Sequence, residues 1–326
     1  MTKDEAAARM NTLGARGTPF FFMFDFDCAH PYVAPLNELA PGIYFDINGR
    51  QSASMPRISA DTVSPEFSAH PIPVDRYHAA FTAVQEEFVN GNTYLLNLTQ
   101  PTPVRTNLGF QELFLRARAK YRLLVNDEFL VFSPETFVTM RGSSIISRPM
   151  KGTIDARLPD AKKHIIDDAK EYAEHVTIVD LIRNDIGMVA DRVRVRRFRY
   201  CERVHTNSGD LLQISSHIEG VLQRDWRSCV GDIMGKLLPA GSVTGAPKKK
   251  TVEIIRRVEN YARGWYTGVA GIFDGRSLDS FVMIRYIERT PEGLVFKSGG
   301  GVTVYSDMDS EYRELCAKVY LPFTHP

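Results

Sequence analysis

The sequence predicts an α+β protein in which helices and antiparallel strands form separate layers. Segments with helical spacing of apolar residues and segments with short or alternating apolar runs follow each other in blocks. The regular strand–helix–strand spacing of a parallel sheet is absent from the sequence. The chain has 326 residues, of which 44% are hydrophobic and 24% charged, so it can bury a substantial core.

Composition excludes several classes of function. The net charge of +1 provides no general attraction for nucleic acid or anionic membranes. The longest apolar run, residues 19–24, is far shorter than a membrane span, and residues 1–17 contain no apolar core of a signal peptide. The four cysteines are too scattered for a zinc site or a disulfide framework, so we expect a reduced, cytoplasmic protein. They are Cys28, Cys201, Cys229 and Cys316.

The first half of the chain alternates between helix and strand patterns. Residues 48–73, rich in Ser, Pro and Ala, are expected to form a loop after a small N-terminal strand layer. Apolar residues at helical spacing predict a helix over residues 74–90, ended by Gly91. Further along we predict a strand over 93–100, a helix over 108–121 and turn-linked strands over 126–148.

The second half begins with a long helical pattern over residues 159–190, which is one helix or two. Residues 192–204 alternate valine with arginine and predict a half-exposed strand, and the near-neutral total charge favours a solvated face over a nucleic-acid patch. A helix over 251–263 should end at Gly264. The remaining predictions are strands over 266–273, 281–289 and 294–304 and a final helix over 306–321.

Lys151 raises the first functional question, because it stands between Pro149 and Gly152 in the stretch "SRPMKGT". Most lysines in turns are simply solvated. The alternative is a lysine directed into a pocket as a nucleophile.

Carboxylates on two helices raise a similar choice. Glu311, Glu314 and Lys318 share one helix face, which fits an exposed ladder of salt bridges. Glu174 borders an apolar stripe that contains Ile178. A carboxylate in that position requires a partner, and a hard cation is one candidate.

Two glycine-rich segments could bring backbone amides close to a ligand. The loop "GSVTGAPK", residues 241–248, offers amides, hydroxyls and a helix start, although it lacks the P-loop order. Gly299, Gly300 and Gly301 form the second segment. Taken singly, each segment is typical of an ordinary turn.

Together these segments carry a resemblance to a known family. "SPETF", "RPMKGT", "AEHVTIVDLIRNDIGMVA", "LPAGSVTGAPKKKTVEII", "SGGGV" and "SEYRELCAKV" occur in the same order as in the chorismate-utilising enzymes. The resemblance covers residues 74–321, and residues 1–73 resemble a shortened N-terminal region. It implies one catalytic domain over 1–326, folded as a four-layer α/β/β/α sandwich with the active site between the sheets. The family includes anthranilate synthase component I, aminodeoxychorismate synthase component I and the isochorismate and salicylate synthases.

Three positions bear on which reaction the resemblance implies. Lys151 matches a lysine of the aminodeoxychorismate synthases, where anthranilate synthases usually carry a small residue. Asn97 stands near the position where the isochorismate and salicylate synthases have a lysine that activates water. Gln213 replaces a histidine that anthranilate synthases use when pyruvate is lost. The chain thus resembles most the compact form of aminodeoxychorismate synthase component I, which aminates chorismate at C4.

The resemblance also implies roles for individual residues. Lys151 would add to C2 of chorismate, and Glu135 would be the general acid and base. Because only a neutral amine attacks, we expect burial or a nearby cation to lower the pKa of Lys151. Mg²⁺ would be held by Glu174 and Glu314, with Glu311 close by through water. The implied substrate-binding residues are Asn97, Thr244, Gly245, Arg285, Gly300, Gly301 and Lys318.

The implied partner is a glutaminase subunit that supplies ammonia, because the sequence contains no glutaminase-like Cys-His-Glu segment. Two alternatives remain. One is anthranilate synthase component I, against which Lys151 and Gln213 argue. The other is a non-catalytic subunit with the chorismate fold, against which the joint presence of Glu135, Lys151, Glu174 and Glu314 argues.

Overall fold

The computed structural model describes residues 1–56, 63–206 and 209–323, which form eight α-helices and eighteen β-strands. The helices are α1 (Lys3–Ala15), α2 (Val74–Val89), α3 (Phe110–Arg116), α4 (Ala161–Asp167), α5 (Ala169–Gly187), α6 (Val230–Leu237), α7 (Lys248–Val258) and α8 (Met308–Ala317). The strands are β1 (Phe20–Phe24), β2 (Tyr32–Pro35), β3 (Ile43–Ile47), β4 (Arg50–Gln51), β5 (Phe67–Ala69), β6 (Leu95–Thr106), β7 (Tyr121–Val125), β8 (Phe129–Ser133), β9 (Thr136–Arg141), β10 (Ser144–Ser147), β11 (Met150–Asp155), β12 (Asp191–Thr206), β13 (Gly209–Val221), β14 (Gly245–Ala246), β15 (Val269–Phe273), β16 (Leu278–Val282), β17 (Tyr286–Thr290) and β18 (Gly293–Val302).

The strands form two nine-stranded sheets. The first has the order β11-β13-β10-β9-β16-β15-β1-β2, with β12 also paired to β13. The second has the order β14-β6-β18-β17-β8-β7-β3-β4, with β5 also paired to β6. All pairings between these strands are antiparallel. This arrangement confirms the predicted α+β class.

Strand β1 shows how the layers are held together. Phe20, Phe22 and Phe24 belong to the core that α1, α5 and α6 form with the first sheet. Phe21 and Met23 alternate with them and pack in the core between the two sheets. A strand buried on both faces needs the continuous apolar run seen in this segment.

The helices on the second sheet complete the sandwich. Helices α2, α7 and α8 cover β6 and β18, and α3 covers the other end of the same sheet. The layers therefore run helix, sheet, sheet, helix, as the resemblance implies.

Strongly periodic segments fold as predicted. The predicted helix over 74–90 is α2, and Gly91 follows it with φ +71°. The long pattern over 159–190 forms two helices, α4 and α5. Strand β12 covers the alternating arginine segment, with Val193 and Val195 packed against the core and Arg194 exposed.

Several predicted boundaries are wrong for identifiable reasons. Helix α7 ends at Val258 because Asn260 adopts a left-handed φ of +54°, so Gly264 does not terminate it. The predicted strand over 281–289 is two strands, since Arg285 has a φ of +54° between β16 and β17. Helix α3 is shorter than predicted because Tyr121 joins the second sheet through Ser133.

The N-terminal part contributes more structure than the sequence indicated. Helix α1 was not predicted, although Thr2 and Glu5 form a capping box at its start. The expected loop over residues 48–73 contains the short strands β4 and β5, and residues 57–62 of it lie outside the described part. No helix of the described chain is long and apolar enough to cross a membrane.

Candidate active site

Lys151 lies on β11, where the strand has an irregular register against β13 between residues 151 and 153. Its amine donates a hydrogen bond to Glu174 Oε2 of α5 at 3.0 Å. The Lys151 side chain is 25% exposed and that of Glu174 is 7% exposed. This lysine therefore belongs to a buried charged group and is not a solvated turn lysine.

The backbone conformation at residue 152 explains why a glycine follows Lys151. The φ of Gly152 is +71°, a conformation that side chains with a Cβ rarely adopt. A Cβ at this position would also lie 3.0 Å from Glu171 Oε2. The glycine thus allows the chain to turn while the Glu171 carboxylate approaches it.

The glycines of β18 make room for charged groups from two directions. A Cβ at Gly301 would lie 2.9 Å from Lys151 Nζ. At Gly300 a Cβ would lie 3.5–3.6 Å from charged atoms of two α8 side chains and of the residue that caps α8, which are Glu311 Oε2, Glu314 Oε1 and Lys318 Nζ. The second sheet therefore meets the charge of Lys151 on β11 and the charges of the C-terminal helix at two consecutive residues.

Lys318 caps the C-terminal end of α8, and its side chain reaches back to β18. Its amine donates to the carbonyl of Gly299 at 2.9 Å and pairs with Glu314 Oε1 at 2.5 Å. Burial lowers the pKa of Lys318, and the positive charges of Lys151 and Arg285 act in the same direction while Glu314 opposes them. Three cations thus influence one another in this region, which suits an anionic ligand.

Glu135 follows β8 and accepts a hydrogen bond from the Ser242 hydroxyl at 2.5 Å. Burial raises the pKa of Glu135, and the Ser242 hydrogen bond and the cations Lys151, Arg285 and Lys318 offset only part of that effect. A carboxyl group with a raised pKa can donate a proton near neutral pH and take it back.

Arg285 lies at the break between β16 and β17, a site that the predicted continuous strand would not have contained. Its guanidinium lies 5.5 Å from the centre of the Tyr320 ring. Its Nε is buried and has no hydrogen-bond partner among the described residues. A buried donor without a partner is costly, so a ligand carboxylate would satisfy it.

Asn97, Thr244 and Gly245 lie where the glycine-rich loop meets β6. Asn97 is paired in register with Gly301, and its amide donates to the Thr244 carbonyl at 2.8 Å. The Thr244 hydroxyl donates to the Ala240 carbonyl at 2.9 Å. A Cβ at Gly245 would lie 1.9 Å from the Leu95 carbonyl oxygen. The contacts of Thr244 and Gly245 thus hold the loop against the sheet.

A buried ion pair fixes the same loop and was not found from the sequence. Arg263 forms two hydrogen bonds with Glu259, at 2.8 and 2.6 Å. It also donates to the carbonyls of Val243 and Asn97, each at 2.7 Å. Glu259 in turn accepts from the Thr99 amide at 2.8 Å. The pair joins α7 to the loop and to β6.

A second ion pair joins the two most specific motifs of the sequence. Lys248, the last residue of "GSVTGAPK", donates to Asp185 Oδ2 at 2.7 Å and to the Leu237 carbonyl at 2.9 Å. Asp185 belongs to "IVDLIRND" on α5. The loop is therefore anchored on both sides of the candidate site.

The carboxylates suit a hard cation in their chemistry. Glu171 and Glu174 stand at i and i+3 on α5, and Glu311 and Glu314 repeat this spacing on α8. Glu171 was not among the predicted residues, although its spacing from Glu174 could have indicated it. Its Oε2 is buried without a hydrogen-bond partner in the described chain. Carboxylate oxygens are the ligands that Mg²⁺ takes from proteins.

In this side-chain arrangement the glutamates are paired with lysines, Glu174 with Lys151 and Glu314 with Lys318. Within the described residues, no three acidic, histidine or cysteine side chains are grouped closely enough to hold a metal ion. The expected lowering of the Lys151 pKa is wrong for this arrangement. Burial lowers it, but Glu174 first, and then Glu314 and Glu171, outweigh burial and raise the pKa of Lys151 above its ordinary value.

Comparison with known proteins identifies the class to which this fold and site belong. The sequence pattern of the chorismate binding enzymes matches residues 47–323. The chain therefore belongs to the family of chorismate binding enzymes. A solved structure of MenF, the menaquinone-specific isochorismate synthase of Escherichia coli, has a TM-score of 0.75 to this chain at 15% identity. That match covers 97% of this chain and 81% of MenF, and it supports the fold.

Relatives within the family carry different names. An "uncharacterized PabA-like protein" of Haemophilus influenzae is 47% identical over 96% of this chain and 94% of its own length. Anthranilate synthase component 1 1 of Haloarcula marismortui is 35% identical over 72% of this chain and 50% of its own length. Aminodeoxychorismate synthase component 1 of Escherichia coli is 31% identical over 75% of this chain and 56% of its own length.

Proposed function

We propose that this chain aminates chorismate at C4 to give 4-amino-4-deoxychorismate, on a route to 4-aminobenzoate and folate. The observation that carries the proposal is the position of Lys151. Its amine is paired with Glu174 and lies against Gly301 of the opposite sheet. Its charge also acts on Glu135. A lysine so placed can add to a bound ring, whereas an asparagine at residue 97 cannot activate water as a base.

The chain's own residues supply each step of the proposed reaction. Arg285 and Lys318 hold the substrate carboxylates. Glu135 donates its proton to the C4 hydroxyl, which leaves as water while the Lys151 amine forms a bond to C2. Ammonia then forms a bond to C4, the bond between Lys151 and C2 breaks, and the Glu135 carboxylate takes up a proton.

We propose Mg²⁺ as the cofactor, held by Glu174 and Glu314, with Glu311 and Glu171 close by. Bound Mg²⁺ would supply positive charge that stabilises an anionic substrate in the site. Three of these glutamates, Glu174, Glu314 and Glu171, also raise the pKa of Lys151. A cation bound among them would therefore lower that pKa.

Product analysis tests the proposed function. With chorismate, MgCl₂ and an ammonium salt, the isolated chain should form a product that contains nitrogen and retains the enolpyruvyl group. Mass spectrometry identifies it, and a sample with EDTA should show no turnover. A product that has lost pyruvate would instead establish an anthranilate synthase, the second candidate, which the 35% identity to the Haloarcula enzyme favours. Chorismate left unchanged in every sample would point to a non-catalytic subunit.

The ammonia source gives a separate prediction. We propose that a glutaminase subunit delivers ammonia to this chain, because among the described residues no hydrogen bond joins any of the four free cysteines to a histidine or carboxylate that would activate it for amide hydrolysis. Burial raises the pKa of Cys28 to about 11, which disfavours the thiolate. Ammonium salts at elevated pH should therefore support turnover by the isolated chain, and glutamine should not. Rapid glutamine-dependent turnover without a partner would contradict this expectation.

A further inference from the structure

A small cavity lies beside Glu135, between the first sheet and the helices that cover it. Its volume is about 20 Å³, and ~10–15 Å³ is sufficient for one molecule of the size of water. Ser242, which donates to the Glu135 carboxyl, also lines it. The cavity therefore adjoins the group that we assign as acid and base, and it has room for a single small molecule.

The lining is mostly apolar, with a few polar groups. Ile182 and Ile186 of α5 and Leu237 of α6 provide apolar surface. Glu135, Ser242 and Asp185 provide polar atoms, and Asp185 is held in place by its ion pair with Lys248. A small polar molecule that is buried in a protein needs two to four polar partners, and this lining can provide them.

We propose that this cavity binds the ammonia that attacks C4 and receives the water that leaves from the same carbon. The inference rests on the proposed amination. In that reaction the C4–O bond breaks as Glu135 gives up its proton, and one water molecule must find space. When the C4–N bond forms, ammonia supplies the nitrogen and one of its protons passes to Glu135. Ammonia and water are similar in size, so one cavity of this volume serves both.

The size of the cavity makes the proposal testable with a larger amine. Methylamine exceeds ammonia by one CH₂ group, and Ile182→Val removes one CH₂ group from the lining. A methylene in a fitted pocket changes discrimination about tenfold or more. We expect Ile182→Val to raise the ratio of methylamine to ammonia in kcat/KM about tenfold. Mass spectrometry should detect the N-methylated product.

Ile178→Val is the matched control. Ile178 lies one turn before Ile182 on α5 and is equally part of the core, but it does not line the cavity. Ile178→Val should leave the ratio of methylamine to ammonia in kcat/KM unchanged. Ile186→Val, a second change in the lining, should raise that ratio. If the lining variants leave the ratio at its wild-type value, the cavity holds resident water only and the proposal is wrong. If wild-type protein forms no amino product from ammonium, the proposed function itself fails, which is a different result.

Discussion

Lys151→Ala should reduce C4 amination of chorismate by about two orders of magnitude or more, the scale of losing a covalent or acid–base group. The alanine removes the amine that we propose adds to C2, but Glu135, Arg285 and Lys318 remain in place. Chorismate should therefore still bind. The measurements are steady-state amination at saturating ammonium and equilibrium binding of chorismate.

Lys151→Arg separates the nucleophile from the positive charge. A guanidinium can retain an ion pair with Glu174, yet it stays protonated and cannot attack. We therefore expect the arginine variant to be as inactive as the alanine variant.

Residual product of Lys151→Ala could carry the amino group at C2, where ammonia could take the vacated position. Near-normal C4 amination by the alanine variant would make Lys151 a counter-charge for Glu174 and nothing more.

A trapped intermediate gives independent support. Wild-type protein mixed with chorismate in the absence of ammonia should accumulate an adduct on the peptide that contains Lys151. Mass spectrometry of the digested protein locates the added mass. An adduct elsewhere would assign the nucleophile to another residue.

The sequence predicted the fold where a pattern is local and strong. The period of apolar residues in α2 and the alternation in β12 depend only on neighbouring residues. The predicted ends of helices and strands were wrong where the backbone conformation of a single residue determines the end. Asn260 and Arg285 both adopt a left-handed φ. Neither residue is a glycine or a proline, so the sequence contains no clear signal of a turn at these two positions. Helix α1 has little amphipathic pattern, so only its capping residues signalled it.

In the candidate site, too, local motifs were predictable from the sequence and contacts between distant residues were not. Some site residues are recognisable because they belong to short motifs, and these are Glu135, Lys151, Glu174, Glu311 and Glu314. The contacts between such residues are not recognisable, since Ser242, which donates a hydrogen bond to Glu135, lies 107 positions away in the sequence. In this side-chain arrangement the pKa of Lys151 is raised and not lowered as predicted, because its direction depends on the sum of several charges that are distant in sequence.

The buried pair of Arg263 and Glu259 should dominate the stability of the region that carries the site. Each side chain is 1% exposed. Removing one partner leaves a buried charge without compensation, which typically costs about 3–5 kcal/mol. We therefore expect Arg263→Met to lower the free energy of unfolding by about that amount, measured by urea denaturation. The carbonyls of Val243 and Asn97 would also lose a donor, so the KM for chorismate should rise.

An exposed pair provides the matched control for this prediction. Arg183 and Asp180 on α5 are 47% and 55% exposed, and their closest charged atoms are 2.7 Å apart, against 2.6 Å in the buried pair. Surface pairs contribute about 0–1 kcal/mol, so Arg183→Met should change the stability little. Replacing both Arg263 and Glu259 by apolar residues should recover part of the lost stability, since no buried charge then remains uncompensated. If Arg263→Met were as mild as Arg183→Met, the buried pair would not be what holds the glycine-rich loop against β6, and the pairing of β14 with β6 together with the hydrogen bond to the Thr244 carbonyl would be what holds it.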